Sequence, residues 1–310
     1  MARPPKNPGI PTRHGVSPSC VALPQRPAGD TPWSSLLDFL ADRLPVLDRA
    51  TWAERMAKGD VVDDAGQAVG ADAPYRPGAR LYYWRSLPVE PDIPFDATVL
   101  HQDAHLLVAD KPHFLPVTPT GRFVQQTLLV RLKQATGIDT LSPLHRIDRE
   151  TAGLVVFSVR PEERGAYQAM FRERRVDKVY EVIAPASDAH SFPMTRRSRI
   201  EEDPNAFFRM VEVEGDPNSE TAIDMLERRG DWAHYALSPV TGKRHQLRVH
   251  LNGLGLPIAG DQFYPVVRRG PGEPEDFTDP LRLLAREIGF TDPVTGEARR
   301  FKSRLSLAWP

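Results

Sequence analysis

The chain has 310 residues, with 40 basic and 41 acidic side chains and 40% hydrophobic residues, enough for one large or two modest domains and too balanced in charge to announce a polyanion partner except through a local basic face. Its single cysteine, Cys20, excludes an intrachain disulfide and a cysteine-based zinc site. No apolar run approaches the roughly 18 residues of a membrane-spanning helix, and the first thirty residues lack the apolar core of a signal peptide, so the expected location is cytoplasmic.

Residues 1–29 hold seven prolines and the basic residues Arg3, Lys6, Arg13 and Arg26, with no acid before Asp30. This composition predicts a disordered, mildly basic tail. Residues 30–89 form a small module. Leu36, Leu37, Leu40 and Leu44 share a face of a helix over 34–44, and Trp52 and Met56 lie one turn apart in a helix over 51–58 that Gly59 ends. Val61-Val62 and Leu81 to Trp84 are strand-like. The linker from Pro88 to Pro94 carries three prolines and predicts a domain boundary.

The larger domain, 90–310, opens with strands at Thr98 to Leu100 and Leu106 to Ala109. Helices are predicted over 125–136, with Gly137 as its stop, and over 161–174, with proline in its first turn. Strands follow at 179–184, two or three across 196–228, and 234–237. A short helix over Leu281 to Ile288 and a last strand near Leu305 to Leu307 complete the reading. Strands outnumber helices and mostly follow one another directly, which predicts an α+β fold with a central, mostly antiparallel or mixed sheet.

Two stretches carry chemistry. In Leu144 to Gly153, five of the first seven residues are ionisable, and the apolar run Leu154 to Phe157 follows at once. Charges crowded at the end of a buried strand are costly unless paired, so Asp148 is expected at the mouth of a cleft, held ionised by arginines. The second stretch, Thr241 to Leu251, mixes basic and apolar residues and contains no acid. An isolated basic run is ordinarily a solvated face; this mixture points instead to anion or phosphate contact. Starting as a helix at Thr241-Gly242, with Thr241 as its cap, it would put Arg244 and Arg248 on one face. Between the two stretches, alternation points Lys178, Tyr180 and Val182 to one face of a strand. Taken singly, Tyr180 is an ordinary core aromatic and Asp148 an ordinary ion pair with Arg146, Arg149 or Arg248. Metal-ligand spacing, a kinase catalytic loop, a serine-nucleophile elbow and a dinucleotide loop are all absent.

These residues match a known family in order. His145-Arg146-Ile147-Asp148-Arg149-Glu150-Thr151-Ala152-Gly153-Leu154 resembles the signature of the RluA-type pseudouridine synthases, usually His-Arg-Leu-Asp-Arg-Glu/Asp-Thr-Ser-Gly-Leu. Lys178-Val179-Tyr180 is similar to the family's Lys-x-Tyr motif, Thr241 to Leu251 to its Thr-Gly-Arg-x-His-Gln-Ile-Arg-Val-His motif, Gly255 to Asp261 to the block after it, and Asp110-Lys111-Pro112 to its early Lys-Pro motif. The departures are Ala152 for serine, Lys243-Arg244 at positions where arginine and threonine or serine are common, and Leu283-Leu284-Ala285 for Leu-His-Ala.

The resemblance implies an α+β catalytic domain, preceded over 30–89 by a small alpha-L-like RNA-binding module. It implies isomerisation of uridine to pseudouridine in ribosomal or transfer RNA by a monomer, with no cofactor and no metal. On this reading Asp148 is the catalytic carboxylate, Tyr180 packs against uracil, Arg248 pairs with Asp148, and Arg146 helps extrude the uridine. His145, Arg149, Lys111, Lys178, Lys243, Arg244, His245 and Tyr264 complete the RNA-contacting set. Two competing classes are a non-catalytic RNA-binding or ribosome-assembly protein on the same fold and, more distantly, a hydrolase using Glu150 as a second carboxylate.

Overall fold

A computed structural model of the chain describes residues 9–25, 32–87, 89–270 and 272–310. It divides into two compact units, one ending at Glu90 and the other starting at Pro91.

The first unit is a three-stranded sheet with two helices: β1 (Ser19–Ala22), α1 (Leu36–Arg43), α2 (Arg49–Ala57), β2 (Val61–Val62) and β3 (Arg80–Tyr83), in sheet order β1-β3-β2. Ser35 caps α1 by accepting from the Asp38 amide, and Asp48 caps α2 by accepting from that of Thr51. Leu36, Leu37 and Leu40 bury against Trp52 and Met56. The expected tail needs correction. Ser19–Ala22, free of proline, pairs antiparallel with β3, and Ile10, Val16 and Leu23 are buried. Pro18 and Pro24 flank the strand instead of interrupting it. Residues 1–8 and 26–29 of that predicted tail lie outside the described residues.

The second unit is built on an 11-stranded sheet. In chain order its elements are β4 (Thr98–Gln102), β5 (Leu106–Lys111), α3 (Leu128–Thr136), β6 (Ser142–Pro143), β7 (Ala152–Ser158), α4 (Arg164–Arg172), β8 (Asp177–Pro185), β9 (Met194–Asp203), β10 (Ala206–Val213), β11 (Ser219–Arg229), β12 (Trp232–Pro239), α5 (Gln246–Gly253), β13 (Leu283–Thr291) and β14 (Ala298–Lys302). The sheet runs β10-β9-β11-β12-β8-β13-β7-β5-β4, with β14 on β13 and β6 on β7. The β7–β13 pair is parallel and the other pairs are antiparallel.

Strands β5 and β7 are buried along their whole length, because each face meets a helix. Leu106, Val108, Leu154 and Val156 pack with Tyr167 and Met170 of α4. The alternate residues Leu107, Ala109, Val155 and Phe157 pack with Leu128 and Leu132 of α3. Thr127 caps α3 and Gly137, at φ 72°, ends it.

The C-terminal reading needs two corrections. Leu281 to Ile288 is not a helix: Leu283–Thr291 is β13, a central strand between β8 and β7. Arg282, Arg286 and Glu287 are spaced as on one face of a helix, but Arg286 pairs with Glu181 of β8 and Glu287 with Arg300 of β14, so the charges of the segment are met across strands. The last strand is Ala298–Lys302, not Leu305 to Leu307. Where β7 runs beside β13, Gly153 sits at φ 107°, and a Cβ there would lie 2.3 Å from the Ala285 carbonyl oxygen.

Candidate active site

The segment 144–151 leads into β7 and is pinned from several sides. The His145 ring accepts from the Val156 amide at 3.2 Å and stacks on Phe171. Lys111 donates to the carbonyls of Pro112 and Arg149, both at 2.9 Å. His113 Nδ1 lies 2.7 Å from the Glu150 carbonyl oxygen. Arg149 donates to the Phe114 carbonyl and pairs with Glu275 and Glu150. A loop held this way presents the Asp148 side chain, a quarter exposed, into the cleft.

The second half of the site comes from α5, which starts four residues later than the sequence suggests. Thr241 is not its cap. Gln246 ties the preceding loop together instead, accepting from Thr241 Oγ1 and the Lys243 amide and donating to the Glu220 carbonyl and Thr221 Oγ1. His245 takes the left-handed conformation at φ 54° just before the first turn. Arg244 therefore lies in the loop and does not share a helix face with Arg248.

Arg248 is 1% exposed. Its Nη1 lies 3.3 Å from Asp148 Oδ2 and 3.9 Å from Glu150. Its Nε and Nη2 grip Asp261 at 2.8 and 2.6 Å, and its guanidinium lies 4.9 Å from the Phe263 ring. Burial pushes the Asp148 carboxyl up, but His245 and Arg248 outweigh burial and hold it below the ordinary carboxylate range. Burial depresses His245 itself to about 4, so its ring is neutral at pH 7 and Arg248 supplies the positive charge there. His245 Nε2 sits 3.9 Å from the same Asp148 oxygen. Among the described residues none donates to the other oxygen, Oδ1.

Tyr180 stands on β8 opposite Leu237 of β12 and Ala285 of β13. Burial, and then the charge of Asp148, push its phenol well above the usual range, so it stays protonated. With Arg146, Asp148, Lys178, Lys243, His245 and Arg248 it lines a cavity of about 110 Å³. The same mouth opens into a wider cleft of about 1330 Å³ that Arg149, Arg174 and Arg244 also line.

Two expected RNA contacts are buried instead. Lys111 is fully enclosed, and burial draws its ammonium down to about 7; it props the Asp148 loop through the Arg149 carbonyl. Tyr264 is 2% exposed, with its hydroxyl bonded to the Met210 backbone and 3.0 Å from His245 Nδ1. Both are supports, because neither reaches the cleft surface. The residue that sequence reasoning misses is Asp261, which fixes Arg248. The available signal is one acid in a glycine-rich block 13 residues after that arginine.

Residues 105–253 match the family model described as RNA pseudouridylate synthase. An uncharacterized RNA pseudouridine synthase of Synechocystis is 34% identical over 239 residues, which cover 76% of this chain and 80% of the relative. The chain belongs to the RluA-type RNA pseudouridine synthase family. The dual-specificity RNA pseudouridine synthase RluA of Escherichia coli K12 is 30% identical, covering 66% of this chain and 91% of that protein. Among solved structures, human RNA pseudouridylate synthase domain containing 4 aligns with a TM-score of 0.52 at 27% identity, covering 67% of this chain and 88% of that one. Domain containing 1 shares the fold at a TM-score of 0.56 and 23% identity, covering 69% and 86%. As a member of this RNA pseudouridine synthase family the chain is an isomerase, and no helix among its described residues is long and apolar enough to cross a membrane.

Proposed function

We propose that the cleft takes a structured RNA, ribosomal or transfer, that the cavity beside Asp148 receives one uridine flipped out of it, and that Asp148 is the catalytic carboxylate. The observation that carries this reading is the division of labour on Asp148: Oδ2 faces Arg248 at 3.3 Å, while no described residue donates to Oδ1. An ionised carboxylate with one oxygen free is the form that nucleophilic attack or proton abstraction requires. The net change is balanced: the N1–C1′ bond breaks, a C5–C1′ bond forms, and the C5 proton is lost as N1 gains one. Neutral Tyr180 packs against the uracil. Arg146, exposed at the mouth, helps extrude the base and fills the space it leaves.

RNA affinity is assigned to the cleft cations. Among the described residues no carboxylate pairs with Arg146, Arg174, Lys178, Lys243 or Arg244, so their charges are available to phosphates, and binding weakens as salt rises. Residues 30–89 are assigned a supporting RNA contact on their likeness to the alpha-L module.

The test is Asp148→Asn, which is expected to abolish pseudouridine formation while RNA binding survives. Modification at the wild-type rate overturns the assignment. Mapping pseudouridines in a strain that lacks the gene identifies the target.

A further inference from the structure

The hairpin joining β9 to β10 carries an aromatic side chain that the fold does not use. Phe207 is 77% exposed and lies on the lining of the wide cleft. The ladder explains how it comes to stand there. Ala206 pairs with Asp203, but the next pair is Met210 with Glu202. Residues 207–209 therefore bulge from the strand, and a bulge re-aims side chains that regular alternation would have placed elsewhere.

The three bulged residues go different ways. Phe208 turns inward against Phe263, ring centroids 5.2 Å apart. Arg209 turns inward over the Tyr264 ring at 5.0 Å. Phe207 turns out, edge-on to Phe208 at 5.6 Å and 88°. Its backbone is held, because Arg244 Nη1 donates to the Phe207 carbonyl at 3.1 Å. The ring is thus fixed at its base, open on its face, and linked through Phe208 and Phe263 to the aromatic group beside Arg248.

A single exposed apolar side chain is unremarkable on a protein surface. The neighbours make this one different. Arg174, at φ 59° just past α4, and Lys243 line the same cleft, and among the described residues neither meets a carboxylate. A track of free cations with an open aromatic face is the combination that holds single-stranded nucleic acid: phosphates follow the charges, and a base stacks on the ring.

We propose that Phe207 is a stacking platform for an unpaired RNA base flanking the target nucleotide, and that it helps determine which RNA contexts the enzyme accepts. This rests on the cleft being the RNA track.

The experiment uses the full chain and two probes of equal charge, dodecauridylate and an abasic RNA of the same length, with binding read by fluorescence anisotropy across a salt series. Phe207→Ala is expected to weaken dodecauridylate binding by about 5- to 150-fold, the effect of removing one base–aromatic stack. It should leave the affinity for the abasic strand and the salt slope unchanged. Phe207→Trp restores dodecauridylate binding. Arg174→Gln weakens both probes and reduces the salt slope by about 0.7, one phosphate contact on a single strand. Equal affinity of wild type and Phe207→Ala for dodecauridylate overturns the stacking role, as does an equal loss on the abasic strand. If the wild type binds neither probe, the RNA track falls, and this inference with it.

Discussion

Asp261 holds Arg248 by two short hydrogen bonds, 2.8 and 2.6 Å, whereas Asp148 receives only one from it, at 3.3 Å. The arginine is therefore anchored to the acid that faces away from the cavity and lent to the one that faces it. All the donors on its Nε edge are committed to Asp261, so Nη1 points where Asp148 sits. Burial would discharge Arg248, but Asp261 and then Asp148 outweigh that and keep it firmly protonated. Asp261→Asn, which keeps one acceptor oxygen, is expected to slow single-turnover pseudouridine formation on the order of 10- to 100-fold, the scale of a misplacement of about 1 Å. RNA affinity should be unchanged, because Asp261 lies out of the cleft. Asp261→Ala should also cost about 3–5 kcal/mol in urea unfolding, since it strands a buried guanidinium. A full-rate Asp261→Asn enzyme would show that Arg248 does not need this anchor.

Asp148 and Arg248 are legible from sequence because one lies among charges crowded at the end of an apolar run and the other in a basic stretch mixed with apolar residues, patterns that stability alone does not favour. Their supports are not. Lys111 reads as an RNA-contacting lysine, yet it is fully buried and bonded to the Arg149 carbonyl of the Asp148 loop. Asp261 is an ordinary loop acid until the fold brings α5 against it. Leu283-Leu284-Ala285 looks helical because a strand between two others shows no alternation. Ser19–Ala22 is hidden by the prolines around it, and Phe207 looks like any core aromatic until the β9–β10 bulge turns it outward.

Gly153 marks where the segment that carries Asp148 enters the sheet. Its φ of 107° is unfavourable for any side chain, and the Ala285 backbone occupies the space a Cβ would need. Gly153→Ala should lose at least the roughly 1–3 kcal/mol of a strained backbone position, and more as β13 shifts to make room. Chemical unfolding reads this directly. An alanine variant as stable as wild type would mean that the β7–β13 contact is looser than 2.3 Å implies.

His250 should make the fold acid-sensitive. It is fully buried. The Ser219 hydroxyl is committed to the Ser198 carbonyl at 2.6 Å, and Thr221 Oγ1 accepts from Gln246. Hydrogen bonding therefore assigns the proton to Nε2, which donates to Ser219 Oγ, while Nδ1 accepts from Thr221 Oγ1. Both ring nitrogens are satisfied in the neutral form, and burial lowers the ring from 6.5 to about 4. The unfolded chain binds this proton first, so the stabilisation is present above pH 6.5 and is lost as pH falls toward 4. His250→Gln should flatten the stability profile in that window by on the order of 1.4 kcal/mol per pH unit. Parallel profiles for variant and wild type in urea unfolding would exclude the effect.

Lys111 gives the same linkage in the alkaline range. Its ammonium, fully enclosed, is drawn from 10.5 down to about 7 by burial, with Glu150 and Asp148 opposing the shift. The unfolded chain keeps the proton up to pH 10.5, so between 7 and 10.5 unfolding takes up a proton and wild-type stability rises with pH. Lys111→Met fills a similar volume but has nothing to titrate, and it leaves the Pro112 and Arg149 carbonyls without their donor. The loss of those hydrogen bonds should cost about 1–3 kcal/mol. The gap between wild type and variant should then widen by on the order of 1.4 kcal/mol per pH unit above 7. Urea unfolding at two pH values in that window decides the matter: a constant gap would mean that Lys111 keeps an ordinary ammonium despite its enclosure. The variant should also modify RNA more slowly, because the Arg149 carbonyl is the strut that sets the height of the Asp148 loop.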